Sequence, residues 1–289
     1  MISDITLGQY FPGKSQVHSL DPRTKLILTV FYITAVFVSN NPTGFVVITA
    51  ITLALIILSG ISFKVLWKSV KPILIILLVT AAINIFMTVG EGEPLLDLGF
   101  AKIYTEGIVK AFFMAYRVVI VIIGTSILLT YTTTPISLTD GIESLLSPLK
   151  KMNVPVHAFA MMMSIALRFI PTLVEETEKI MNAQKSRGAD FSNGTLVQRA
   201  KALIPILIPL FASAFKRAEE LATAMECRCY RGDSNRTKLV KLEFKKRDYI
   251  WLISSVVLFA GIILLSVLPY NYQIDSAVYN LIFYRITGR

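Results

Sequence analysis

Residues 8–15 read Gly-Gln-Tyr-Phe-Pro-Gly-Lys-Ser and match the phosphate-loop pattern G-x-x-x-x-G-K-[ST] letter for letter. Such a loop cradles phosphate only between a buried strand and a helix whose first amides meet the anion. Seven residues precede it and Pro22 interrupts the segment after it, so no α/β domain is expected around it and the match reads as coincidence. Cys227 and Cys229 flank Arg228 and are too close in sequence to bridge easily, which fits a reducing compartment. A structural zinc needs four ligands, and the other candidates, His18 and His157, lie in distant segments, so neither metal nor cofactor is expected. Glu175, Glu176 and Glu178 alternate with Lys179 and Lys185, the pattern of a solvated face rather than an acid–base pair.

Two further triplets carry arginine between small residues: Ser186-Arg187-Gly188 and Cys227-Arg228-Cys229. Each alone reads as a helix C-terminus, with glycine as a left-handed stop and arginine complementing the helix dipole. As a pair they read differently. Small neighbours leave a guanidinium fork able to enter a partner's groove, and two such helix ends suit two similar partners.

These residues sit on a chain of 289 residues that is 54% hydrophobic and only 17% charged. Its mean hydropathy is +0.63 and its pI about 9.6. An ordinary soluble domain carries roughly 25% charged residues, so the composition points to a membrane protein. The formal net charge of +10 then reports cytoplasmic loops before it reports nucleic acid, and no nucleic-acid partner is expected. The first 25 residues hold charges and two prolines rather than the apolar run of a signal peptide.

Five stretches read as spans, at about 24–39, 43–61, 72–90, 108–131 and 249–268. Lys14, Arg23 and Lys25 precede the first, and Lys64, Lys68 and Lys71 lie between the second and third. Acidic Glu91, Glu93, Asp97 and Glu106 lie between the third and fourth. This asymmetry predicts a cytoplasmic N-terminus and an external acidic loop. Arg117 falls inside the fourth span, where it is either a functional intramembrane charge or a side chain snorkelling outward.

Between the fourth and fifth spans, helices are expected at about 136–151, 156–187 and 195–230, the last two stopped by Gly188 and near Gly232. Their apolar runs, VHAFAMMMSIAL and ALIPILIPLFASAF, are too short to cross a bilayer and predict helices lying against its cytoplasmic face. Pro205 and Pro209 are expected to bend the last. The fold class is therefore all-α, an integral membrane protein of about five spans with long cytoplasmic helices. The expected divisions are 1–134 with four spans, 135–248 cytoplasmic, and 249–289 with the last span and an external tail.

At this point the sequence resembles the transmembrane T components of energy-coupling-factor (ECF) transporters. The resemblance rests on GQYFPGKSQVHSLDPRTKL at residues 8–26, above all Leu20-Asp21-Pro22-Arg23-Thr24-Lys25-Leu26. It rests also on the order of spans and cytoplasmic helices, and on the two X-Arg-X triplets. The family often has Ala-Arg-Gly there. Serine before Arg187 is a mild departure, and two cysteines around Arg228 are a larger one. The resemblance implies a bacterial cell-membrane subunit with no nucleotide site of its own. It implies two partner ATPase subunits docked at Ser186, Arg187, Gly188, Cys227, Arg228 and Cys229. It also implies a substrate-binding S component, for a vitamin or other micronutrient, held in part by Met161, Met162 and Met163. Those methionines read equally as ordinary packing. The rival readings are a membrane enzyme or a carrier working without ATPases.

Overall fold

The computed structural model describes residues 10–39, 41–88, 96–97, 102–152, 154–189, 191, 195–230, 232 and 242–267. The chain divides into two compact units, one of Tyr10–Thr134 with the segment from Leu242 onward, the other built on Pro135–Lys241.

In the first unit α1 spans Pro22–Val38, with Pro22 in its first turn and the Asp21 carboxylate accepting from the Arg23 N–H at 2.9 Å. Arg117 closes the other end. Its guanidinium donates to the Ser39 carbonyl at 2.7 Å and lies 5.3 Å from the centre of the Phe45 ring. The intramembrane arginine is thus engaged with a helix C-terminus, whose last carbonyls have no partner within the helix.

Next come α2 (Pro42–Ser59), α3 (Phe63–Val70), a 3-10 turn at Lys71–Ile73 and α4 (Leu74–Met87). The helical path therefore begins at Phe63 rather than Pro72, because the tighter turn accommodates the proline's missing N–H. Leu96–Asp97 (β1) pairs antiparallel with Lys102–Ile103 (β2), a two-residue ribbon within the acidic loop. Then α5 (Thr105–Thr125) widens into a π turn at Ser126–Tyr131, and α9 (Lys246–Val267) completes the unit.

The core joins Leu28, Tyr32 and Val36 of α1 to Ile48 and Leu55 of α2, Ile120 of α5 and Ile262 of α9. Tyr32 is buried with its hydroxyl 2.8 Å from Thr52 Oγ1 and donating to the Ile120 carbonyl at 2.9 Å. The ring lies flush on Gly124, where any β-carbon would collide with it. Gly124→Ala is therefore expected to cost roughly 1–3 kcal/mol, read as a lower unfolding temperature in detergent.

Helices α1 and α9 run in the same direction. Asp248 meets Asp21, Phe259 lies 5.5 Å from Phe31, and Ser266 donates to Val38 at 3.5 Å. At their shared N-terminal end a buried polar clamp forms from the Leu-Asp-Pro-Arg-Thr-Lys-Leu run. The Lys25 ammonium, 2% exposed, donates to the Thr132 carbonyl at 2.7 Å and to that of His18 at 3.4 Å. Asp21 and Asp248 supply its counter-charge. Asp248 also accepts from the Asp21 and Lys245 amides at 2.9 and 2.8 Å. Arg23 donates to Leu242 at 3.2 Å and lies 5.2 Å from the Phe244 ring centre. The loop before it closes on His18, whose ring meets Ser15 Oγ at 2.6 Å and the Phe11 carbonyl at 2.8 Å. Ser15 and Gly13 of the phosphate-loop pattern are thus committed to this imidazole.

In the second unit α6 (Pro135–Leu146) runs into a 3-10 stretch, Ser147–Met152, before α7 (Val156–Ser186) and α8 (Leu196–Cys227). His157 Nδ1 and Glu143 Oε1, 2.9 Å apart and both largely buried, tie α6 to α7. Thr195 and Gln198 form a reciprocal capping box on α8, which continues through Pro205 and Pro209.

Five helical stretches are long and apolar enough to cross a membrane: Pro42–Ser59, Phe63–Met87, Glu106–Tyr131, Val156–Ser186 and Lys246–Ser266. Two differences from the sequence reading stand out. Helix α1 has 17 residues, about 26 Å at 1.5 Å per residue, and falls short of a 30 Å hydrocarbon layer. The apolar stretch of α7 is longer than the 12-residue run suggested, because Arg168 and Pro171 interrupt its composition but not its helix.

Candidate functional site

The two arginine triplets close α7 and α8 with the same backbone motif. At the end of α7, Arg187 is the C-cap (φ −87°, ψ 7°) and Gly188 is left-handed (φ 87°). The Gly188 N–H donates to Lys185 at 2.9 Å and the Ala189 N–H to Gln184 at 3.0 Å, the paired bonds of a Schellman motif. At the end of α8, Arg228 is the C-cap (φ −91°, ψ 17°) and Cys229 is left-handed (φ 55°). The Cys229 N–H donates to Glu226 at 2.8 Å and the Tyr230 N–H to Met225 at 3.0 Å. Cys229 is the one non-glycine residue at positive φ among the described residues.

This placement corrects the expected end of α8. The helix stops at Cys227 rather than near Gly232, because the left-handed turn is taken three residues before the glycine, by a side chain that strains there. Cys229→Gly is expected to raise stability by about 1 kcal/mol, seen as slower amide exchange at Cys227–Tyr230.

Ser186, Arg187, Gly188, Cys227, Arg228 and Cys229 are all exposed, and both thiols are free. Among the described residues no side-chain hydrogen bond or ion pair engages either guanidinium. Each helix thus ends in a rigid turn that presents one cation with no side-chain partner among the described residues.

Behind these ends, α7 and α8 enclose a groove lined by Ile165, Phe169 and Leu173 on one side and Ala218, Leu221 and Met225 on the other. Alanines at 214, 218 and 222 recur on one face of α8 and let the helices approach. Arg217 reaches Glu176 across the pair at 3.5 Å, so this glutamate is not merely part of a solvated face. Met225 lines the groove and its carbonyl closes the α8 Schellman turn. The last turn of α8 is therefore continuous with the surface packed on α7.

Of the methionines, Met161 is half-buried while Met162 and Met163 are 52% and 53% exposed, so the latter two are not core packing within this chain. On α8 a stripe of Ile204, Ile208, Phe211 and Phe215 is uncovered too, beyond the three methionines marked by the sequence. Its spacing puts these residues on one face, a signal readable from the sequence but masked by the two prolines.

A family model described as "Cobalt transport protein" (CbiQ) matches residues 13–239. A Clostridium kluyveri protein is 54% identical over 258 residues, 89% of this chain and 95% of that one. A Ruminiclostridium cellulolyticum protein is 52% identical over 266 residues, 92% and 98% of the two chains. A Bacillus subtilis protein is 49% identical over 260 residues, 90% and 97%. All three carry the name energy-coupling factor transporter transmembrane protein EcfT. The chain belongs to this family. Membership extends over both units, since the matched residues run from the loop around His18 through α1 to α8 and beyond. It bears out the family resemblance drawn from the sequence.

Proposed function

We propose that this chain is the coupling subunit of an energy-coupling-factor importer in the cell membrane and that Arg187 and Arg228 each dock one ATPase subunit. The observation that carries the assignment is the pair of identical Schellman-closed helix ends, each presenting an exposed arginine at its C-cap. Two equal turns fit two equal grooves on a pair of ATPases. When that pair closes on ATP, the helix ends move together, and the α7–α8 contact carries the motion along both helices. An S component resting on Met161, Met162, Met163 and the exposed stripe of α8 receives it and reorients in the membrane. Apolar surface on this scale marks a partner or a lipid face. The chain contributes no nucleotide site, and ATP hydrolysis belongs to the partners. Vitamins or other micronutrients are the cargo class, with selectivity residing in the S component.

Topology supports the same reading. Lys25, Thr132 and Asp248 meet at one end of the first unit, so residues 135–241 leave and return on the same side. Helix α7 therefore does not cross the bilayer alone, despite its length. With Lys14, Lys64, Lys68 and Lys71 in the segments at that end, the positive-inside rule makes it cytoplasmic, with the N-terminus.

The test is co-purification. Tagged chain is co-expressed with the two ATPases and an S component, extracted in mild detergent, and compared with Arg187→Ala/Arg228→Ala. Retention of both ATPases by wild type and their loss from a monodisperse double variant is expected. Equal retention by the two would remove the arginines from the docking site.

A further inference from the structure

We infer that α3 is a binding site for anionic phospholipid, with Lys64, Lys68 and Lys71 holding headgroup phosphates while Phe63 and Trp67 sit at the acyl boundary. The inference rests on the membrane reading of Phe63–Met87 and goes beyond it in naming the lipid class.

Helix α3 is short and steeply sided. Leu66 and Val70 are 1% and 3% exposed, whereas Phe63 and Trp67 are 69% and 52% exposed. Lys64, Lys68 and Lys71 are exposed as well. At about 100° per residue, the order around the helix is buried aliphatics, then the two aromatics, then the three lysines. A helix arranged like this lies in the interface plane, with its aromatics at headgroup depth and its cations one step further toward water.

Among the described residues, these cations have no protein counter-charge. The sequence holds no aspartate or glutamate from Asp21 to Glu91 other than those two end residues. Among the described residues, none of the three lysines makes an ion pair or side-chain hydrogen bond. Three ammonium groups along one face, next to apolar side chains at a bilayer surface, are complementary to phosphate diesters of anionic lipid rather than to a neutral headgroup.

The helix is also held rigidly. Leu66 packs with Ile127 and Tyr131 in a core of its own. The Tyr131 hydroxyl donates to the Val65 carbonyl at 3.3 Å and bonds to Ser69 Oγ. The Tyr131 carbonyl accepts from Phe11, and the next carbonyl holds Lys25. Lipid bound on α3 is thus attached to the point where the chain leaves the bundle for residues 135–241, and it fixes that point at the inner leaflet.

The chain has two tryptophans, so Trp251→Phe leaves Trp67 as a single reporter. The full chain is reconstituted in phosphatidylcholine vesicles holding equal mole fractions of brominated phosphatidylglycerol or brominated phosphatidylcholine. Quenching of Trp67 about three-fold or more stronger by the brominated phosphatidylglycerol is expected. The preference should vanish in Lys64→Gln/Lys68→Gln/Lys71→Gln and survive in the matching triple arginine variant. Equal quenching by the two lipids in the parent would place α3 in the membrane but overturn anionic recognition. No quenching by either would show Trp67 covered by protein, overturning the proposal together with the membrane placement of α3. Inorganic phosphate at millimolar concentration is expected to leave the preference intact, and its loss there would assign the lysines to free phosphate instead.

Discussion

Lys25→Met is expected to lower the stability of the first unit by roughly 3–5 kcal/mol, the cost of leaving a buried charge without its partner. In a chain of this size that is a fall of roughly 10 °C in the unfolding midpoint. Lys25 is 2% exposed, Asp248 1% and Asp21 8%, so none of the three can turn to water. With the ammonium removed, the carboxylates of Asp21 and Asp248 lose that cation, Asp21 is left with Arg23 at 3.9 Å, and the Thr132 carbonyl loses its donor. Asp248→Ala is expected to do comparable damage by another route. It strands the Asp21 and Lys245 amides and takes one of the two counter-charges from Lys25. Lys25→Met/Asp248→Asn removes one charge of each sign and should recover part of the loss, a positive coupling in a double-mutant cycle. Arg23→Ala, partly exposed and held by one carbonyl, one ring and a long 3.9 Å contact with Asp21, should cost only about 1 kcal/mol. Strictly additive losses in the double variant, or a Lys25→Met midpoint equal to wild type, would show that the three charges do not act as one unit.

The clamp explains why part of this protein is legible in its sequence and part is not. The spans are readable because hydrocarbon demands composition, and composition is local. Arg187 and Arg228 are readable because a helix end next to a small residue is also a local event. The partnership of Lys25 with Asp248 is not local. Residues 21 and 248 are far apart in the chain and are joined only because α1 and α9 lie parallel. In the sequence Lys25 therefore looks like one more cytoplasmic cation and Asp248 like a span boundary, although the family resemblance rests above all on the run containing Lys25. Arg117 stays undecided in the sequence for the same reason, since its acceptor is the end of another helix.

Cys229 escapes a sequence reading through the opposite effect, a local signal that tertiary structure overrides. Gly232 is the better left-handed residue by propensity, and it does take a positive φ of 77°. Yet α8 has already ended, through bonds from Cys229 to Glu226 and from Tyr230 to Met225. The groove against α7 stops at Met225. Extending the helix beyond Cys227 would lengthen it past its packing surface, where further turns gain little from tertiary contact. The cost of one cysteine in the left-handed region, about 1 kcal/mol, sets Arg228 at the same place in its turn as Arg187.

That equivalence leads to the largest functional effect expected. Arg187→Ala and Arg228→Ala should each weaken ATPase binding by about 30- to 1,000-fold, the range of roughly 2–4 kcal/mol for an arginine at the centre of an interface. The two losses should be similar, because both arginines occupy the C-cap of the same motif and both start exposed and uncommitted. Stability should be unchanged, which separates these variants from Lys25→Met. Lysine at either position should not restore binding, since a rounded ammonium cannot make the paired, planar contacts of a guanidinium. Titration of the ATPase pair onto the solubilised chain measures each case. Where the pair binds as a preformed dimer, the second contact is intramolecular, and the double variant should lose more than either single variant through the loss of avidity. A double variant no weaker than one single variant would mean that only one helix end docks. The two turns would then be alike in backbone alone, and the second arginine would serve α7 or α8 merely as a cap.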